Sequence, residues 1–288
     1  MFGLRSDGKK IKHIDPLMRV VPHIMFQRND AMVMQSQDYD CENIDKYIHD
    51  KRDNEGIRFT YLDILVTAIV RTLALRPKMN RFIMNGRIYK RNQIQVSFAI
   101  KKKLVDKADE TTVKLTFKGT ESIYDIKEIL DKVIKENKGM DKTNDTDKLA
   151  KLLTMVPNFF IKVMVRFLVF LDKHGMMPKS VLEASPFHTS VFLVHLKSIK
   201  MPPVFHHIYN IGTTGIFISI GQEKYEPVVK DRQSKEIVVK KMLKAGVVVD
   251  ERISDGLYNS LSLRVFKKFM ENPYILDERL DHIEKDVD

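Results

Sequence analysis

Cysteine is nearly absent from this sequence: Cys41 is the only one in 288 residues, which excludes an intramolecular disulfide framework and any cysteine-rich metal site and fits a reducing compartment. A solitary thiol of this kind reads as a buried or incidental side chain, not as a nucleophile. No apolar run is long and clean enough to cross a bilayer, and the most apolar stretch, residues 155–171, is broken by Pro157, Lys162 and Arg166. The opening MFGLRSDGKKIKHIDP is basic but lacks the apolar core of a secretory leader, so the expectation is a cytoplasmic protein. Internal repeats and low-complexity linkers are missing as well, which favours one mixed α/β domain with a substantial antiparallel sheet. Gly212-Thr213-Thr214-Gly215 is too short for a phosphate cradle and reads as a turn before a strand.

Positive charge and apolar bulk are abundant instead. With 49 basic against 38 acidic side chains the net charge is +11, which favours an anionic partner without identifying one. Lys101-Lys102-Lys103 is the only compact basic run and has no reading module around it, so nucleic acid is not expected. A phosphorylated cofactor or an anionic lipid meets the same preference. Residues 43% hydrophobic, 16 Phe among them, supply a packed core. Lys162 and Arg166 share one helical face, and the apolar remainder of residues 155–171 is expected to pack into the protein; the alternative is peripheral contact with an anionic membrane.

Periodicity and capping place strands at residues 31–39, 87–89, 93–102, 113–117, 190–196, 207–210, 216–220 and 238–249, and helices at 44–52, 60–76, 122–136, 149–171 and 256–270. Asn43 is the expected cap of the first helix, and Thr60 with Asp63 opens the second as a capping box before Pro77 stops it. The chain up to about Pro22 reads as loop and turn, residues 138–148 as an exposed polar segment, and His174-Gly175 as a helix end. His206-His207 invites a metal reading, but neighbours on a strand point to opposite faces and do not share one ion, so no metal site is expected.

The densest information lies in Asp250-Glu251-Arg252-Ile253-Ser254-Asp255-Gly256, which follows the β-branched run Val247-Val248-Val249 and precedes a helix ending Phe269-Met270-Glu271-Asn272-Pro273. This arrangement resembles the chloramphenicol acetyltransferase and dihydrolipoamide acyltransferase superfamily, whose signature reads D-H-R-x-x-D-G or H-H-x-x-x-D-G. The stretch from Phe59 to Pro77, with Asn80 and the turn Asn85-Gly86, is similar to the family's first long helix and following hairpin. Phe192 to Gly221 is similar to its F-T-I-S-N-L-G strand, F-x-x-I-x-N crossover and next strand. The likeness covers residues 15–280, flanked by an N-terminal arm at 1–14 and a C-terminal tail at 281–288. The lipoyl and subunit-binding modules of the complex-forming enzymes have no counterpart here, so a free-standing catalytic-type domain is expected.

The resemblance implies a two-layer α/β sandwich of the chloramphenicol acetyltransferase type with a large mixed, mostly antiparallel sheet. It also implies a homotrimer with active-site channels between subunits, and acyl transfer from a coenzyme A thioester to a small-molecule thiol or hydroxyl whose identity stays open. In the family a histidine four residues before the signature aspartate is the general base, and here that position is Glu251. Histidine suits the role because its ordinary pKa lies near ~6.5; a carboxylate starts near ~4.3 and needs burial to serve at neutral pH. The hydroxyl that holds the oxyanion falls at or beside Val194, with Ser198 and His195 as substitutes. Asp255 is the expected loop organiser, held by Arg19 with Arg28 as runner-up. Arg252 and Gly256 complete the loop, and His206 or His207 is the alternative base. The expectation is therefore acyl transfer by an atypical route or a catalytically silent relative; the competing class is a non-enzymatic trimeric scaffold or ligand-binding module, membrane-peripheral through residues 155–171.

Overall fold

The computed structural model describes residues 5–101, 110–137, 148, 151, 155–231 and 233–288. Lys102 and Lys103 of the basic run, most of the polar segment 138–148, and residues 149, 150 and 152–154 ahead of the apolar helix lie outside the described residues. In chain order the elements are β1 (Gly8–Lys10), α1 (Pro16–Ile24), β2 (Met32–Asp40), α2 (Glu42–Glu55), α3 (Tyr61–Leu75), β3 (Arg81–Met84), β4 (Arg87–Arg91), β5 (Ile94–Lys101) and β6 (Glu110–Phe117). There follow α4 (Ile123–Asn137), α5 (Asn158–Lys173), α6 (Lys179–Ala184), β7 (Val191–His195), β8 (Ile216–Ile220), β9 (Lys224–Val229), β10 (Ile237–Asp250) and α7 (Gly256–Glu271).

The main sheet runs β2-β10-β8-β7-β5-β6, with β9 added along the first half of β10. Only the β5/β7 and β7/β8 pairs are parallel, so the sheet is mixed and mostly antiparallel, as the sequence implies. A smaller sheet, β1-β4-β3, carries the Asn85-Gly86 hairpin, where both turn residues have positive φ, of 50° and 68°. α3 is apolar on all sides and almost wholly buried, which is why it forms the middle of the core. Its predicted capping box is present: Thr60 Oγ1 accepts from the Asp63 amide while Asp63 accepts from the Thr60 amide.

Alternation along the central strands divides their side chains between two faces. Val191, Leu193, Ile216, Ile218, Val247 and Val249 join α3, α4 and α7 in the main core. Phe192, Phe217 and Val248 point the other way and pack with Ile208, Met32, Val194 and Tyr209 in a second cluster. The chain between β7 and β8 covers this second face. Ser219 fixes it: its hydroxyl donates to the Val204 carbonyl at 2.5 Å and accepts from the Val204 amide at 2.9 Å. A Cβ at Gly246 would stand 2.4 Å from the same carbonyl, so this position of β10 requires glycine.

Several expectations are corrected. Residues 16–24 form a helix, not a loop, because Asp15 caps it by accepting from the Leu17 amide at 2.9 Å and Pro16 sits where its missing N–H costs nothing. Residues 207–210 are not a strand: the Arg28 guanidinium takes the carbonyls of Tyr209 and Asn210, and the Ile208 amide meets Met32 Sδ at 3.2 Å, leaving no ladder to join. Asn43 does not cap α2; the cap position is Cys41, and the Asn43 amide group donates to the Glu271 carbonyl. Apart from these corrections, Gly8–Lys10 of the N-terminal arm pair with β4, and Asp286 of the C-terminal tail forms a buried ion pair with Arg81.

A buried polar cluster fastens the end of α5. Asp172 receives Arg5 at 2.7 Å and His188 Nε2 at 3.1 Å, while His188 Nδ1 lies 2.8 Å from Ser185 Oγ. Burial pushes the His188 pKa down, more than Asp172 pulls it up. Burial also works to raise the Asp172 carboxyl, but His188 and Arg5 overcome it and hold the group below the usual carboxylate range. Both groups titrate lower folded than unfolded, so their contribution is complete above the ordinary histidine value of 6.5 and is lost as pH falls through the folded-state values. Between about pH 7 and pH 5 the melting temperature of the native protein should therefore fall more steeply than that of His188→Gln, which leaves only the Asp172 part. Equal slopes in a pH series of melting curves would contradict this assignment.

Candidate functional site

The signature loop begins where β10 leaves the sheet. Asp250 is fully buried, and its carboxylate is gripped by Arg252: Nε reaches Oδ1 at 2.7 Å and Nη2 reaches Oδ2 at 2.7 Å. This bidentate pair forms within three residues, which is what folds the loop back on itself. Arg28 Nε stands 4.0 Å from the same carboxylate. Burial lowers the Arg28 pKa and Asp250 opposes it, leaving the guanidinium charged at neutral pH. The two arginines also reach outward. Arg252 donates to the Met25 carbonyl at 2.9 Å, and Arg28 to the carbonyls of Asn210 at 3.0 Å and Ile83 at 2.9 Å.

The loop anchor is thus Arg252 on Asp250 with Arg28 beside it. Arg19, the expected partner of Asp255, is exposed on α1 and makes no ion pair with it; the runner-up, Arg28, is the buried arginine, but it serves Asp250. Asp255 is spent locally, as the N-cap of α7, where its Oδ1 accepts from the Tyr258 amide at 2.8 Å. Gly256 is the first residue of that helix and meets no neighbour that would exclude a side chain.

Glu251 is exposed, held by its backbone N–H to the Ala31 carbonyl at 2.9 Å, and its carboxylate has no partner among the described residues. Together with Asp255 it lines a cleft of about 310 Å³ whose apolar wall comes from Met18 and Val21 of α1, Met25 just after it, and Val33 of β2. The remaining candidates lie elsewhere in the subunit. His195 closes β7 on the rung of Ile220 and Ala245, six residues from Glu251 along β10, or about 20 Å. Burial lowers its pKa, and Nε2 has no hydrogen-bond partner. Ser198 is exposed on the single turn Leu196–Ile199 that follows. A single subunit therefore does not bring Glu251 together with His195 or Ser198.

Val194 faces the second cluster, on the rung of Ser219 and Gly246. Ser219 supplies a hydroxyl on that rung which the sequence reading passed over, yet both of its hydrogen-bonding roles are taken by Val204. His206 and His207 are brought together, contrary to the strand-based expectation, because their segment is irregular: the rings stack with centroids 4.5 Å apart. His206 also stacks on Phe217 at 4.1 Å and 7°, over the rung Phe192–Phe217–Val248, which is three residues from Glu251 along β10, or about 10 Å. Its Nδ1 lies 2.8 Å from the His207 carbonyl, which can only accept, so the neutral ring carries its proton on Nδ1 and presents an unprotonated Nε2. Among the described residues no group of three or more His, Cys, Asp or Glu is placed to hold a metal ion.

No protein-family model matches the sequence, and no curated protein matches it either. Solved structures do. A probable dihydrolipoamide acetyltransferase from Listeria monocytogenes is 15% identical over 91% of this chain and 94% of its own, with a TM-score of 0.57. The dihydrolipoamide acetyltransferase of Azotobacter vinelandii, whose catalytic mechanism has been examined at a serine, a histidine and an asparagine, is 12% identical over 93% of this chain and 94% of its own, with a TM-score of 0.58. A chloramphenicol acetyltransferase is 10% identical over 91% of this chain and 99% of its own, with a TM-score of 0.53. The fold of this chain is that of these acyltransferases.

Removing a partner from a buried ion pair strands the other charge. Arg252→Met should cost about 3 kcal/mol or more in urea unfolding, whereas Arg19→Ala should stay within about 0.5 kcal/mol. The reverse ranking would mean that the loop is anchored through Arg19.

Proposed function

We propose that this protein is an atypical member of the acyltransferase superfamily that binds a coenzyme A thioester but has lost the histidine-driven transfer step. The observation that carries the reading is the state of the signature loop: Asp250, Arg252 and Asp255 are held as scaffold, while Glu251, in the base position, stands exposed with no partner. Proton abstraction from a thiol or hydroxyl needs a base whose pKa is near the working pH, and an oxyanion needs a donor aimed at it. A carboxylate at the lip of an open cleft and Val194 at the hydroxyl position supply neither. The apolar wall of Met18, Val21, Met25 and Val33 suits an acyl-pantetheine arm, and the +11 net charge suits its phosphates. The coenzyme's chemistry is an activated acyl group; the chain's part is to bind and orient it.

The homotrimer belongs to the same proposal. Glu251 and the Val194 rung are separated along one subunit, and a channel built between subunits is the arrangement that would set the loop of one against the strand of another. The acceptor is left open, and a cytoplasmic location remains an expectation. A second reading, in which the base has moved to His206, is favoured by the unprotonated Nε2 that its hydrogen bond to His207 leaves available.

Free-thiol release from acetyl-coenzyme A, followed with a panel of small alcohols and thiols as acceptors, tests the proposal. The native protein should not exceed the buffer rate, and restoring base and donor with Glu251→His and Val194→Ser should raise transfer about 10²-fold. Native turnover lost in Glu251→Gln would overturn the proposal, and native turnover lost in His206→Gln would establish the second reading.

A further inference from the structure

α5 is too short to cross a membrane, and among the described residues no helix is long and apolar enough to do so. Yet it is not packed as a core helix. Phe159 is 70% exposed and Phe167 58%, and Phe160, Val163 and Phe170 are exposed with them; only Asp172 is buried. At 3.6 residues per turn these five apolar side chains fall within an arc of about 100°. The sequence expectation that this segment packs into the protein is therefore corrected: its inward side is only half-buried, and its most apolar stripe faces out.

Charge is sorted around the helix as well. Lys162, Arg166 and Lys173 are exposed along one edge of the stripe, within about 40° of one another. The one acid, Asp172, is turned inward to Arg5 and His188. Two clefts continue the surface. Val165, Val169 and Lys173 of α5 face His23, Asn85 and Gly86 across one of them, and His23, Asn85 and Gly86 also border a second, of about 460 Å³. That second cleft is lined by Lys10, Lys12, Arg19, His23 and Arg87 and by no acidic residue, and none of these five side chains forms an ion pair with a described residue.

From this we propose that α5 lies on an anionic phospholipid bilayer, its phenylalanines in the interface and its basic edge, with the neighbouring basic cleft, on the headgroups. An exposed aromatic stripe bordered by lysine and arginine is the pattern of an interfacial helix. A second copy of the chain is the other candidate occupant. A contact that pairs this helix with itself would set three cations against three at its margin, where lysine is normally depleted, and the oligomeric state of the phenylalanine variant tests every other contact between copies. The proposal does not rest on the acyltransferase reading, since neither Glu251 nor Asp255 takes part in it; of the signature loop only Arg252 borders the first of the two clefts.

The test is co-sedimentation of the full chain with vesicles of phosphatidylcholine alone and of phosphatidylcholine with phosphatidylglycerol in equal parts, at low and high salt. Binding is expected only to the anionic vesicles and should weaken with salt. The pairs Phe159→Glu with Phe167→Glu and Lys162→Glu with Arg166→Glu should each reduce it roughly tenfold or more, with unchanged melting temperature. Absence of the native protein from the anionic pellet at low salt, or undiminished binding by both variants, would overturn the proposal. So would a change of oligomeric state in the phenylalanine variant, which would assign the stripe to a second copy of the chain.

Discussion

The buried ion pair between Asp250 and Arg252 is the constraint around which the signature loop and its neighbours are arranged. A carboxylate at the end of a central strand, wholly out of water, is tolerable only when its charge is matched and its lone pairs are occupied. Arg252 does both, and Arg28 adds a second cation nearby. Because each guanidinium has donors to spare, the pair also gathers carbonyls from the end of α1, from β3 and from the crossover at Asn210. Four segments distant in sequence are thereby fixed around one charge.

That anchoring leaves the form of the loop independent of the side chain at position 251. Asp250 and Arg252 act through each other, and Asp255 acts on the first turn of α7, so none of them depends on what stands at position 251. Glu251 is exposed, and the loop holds it through its backbone N–H, which donates to the Ala31 carbonyl. The second face of the sheet is covered as well. Ser219 and Gly246 hold the crossover against β8 and β10, and both hydrogen-bonding roles of the Ser219 hydroxyl are taken by the Val204 backbone.

Much of this was legible in the sequence. The strand-to-helix signature at 247–273, the capped apolar helix α3 and the alternating strands β5 and β8 are local patterns, and they sufficed for the fold. The site was harder because its contacts are not local. Arg28 and Asp250 are far apart in sequence, and nothing in spacing separates Arg28 from Arg19; burial does. A charged residue at the end of the run Val247-Val248-Val249, followed two positions later by arginine, was the available signal for the anchoring pair. Residues 207–210 misled because a β-like composition was overridden by Arg28 taking their carbonyls, and α1 was missed because Pro22 obscured the start signal at Asp15-Pro16. The exposure of α5 was beyond sequence reading, since an apolar helix facing the core and one facing outward can share one pattern.

The function proposed for this chain is an acyltransferase fold that still binds a thioester while a carboxylate stands at the base position. Calorimetric titration of the folded, assembled protein with coenzyme A and acetyl-coenzyme A tests it most directly, because binding needs no knowledge of the acceptor. Saturable binding in the micromolar range is the predicted result. A folded assembly that gives no heat of binding with either ligand would contradict the account and leave a scaffold that shares only the architecture of the acyltransferases.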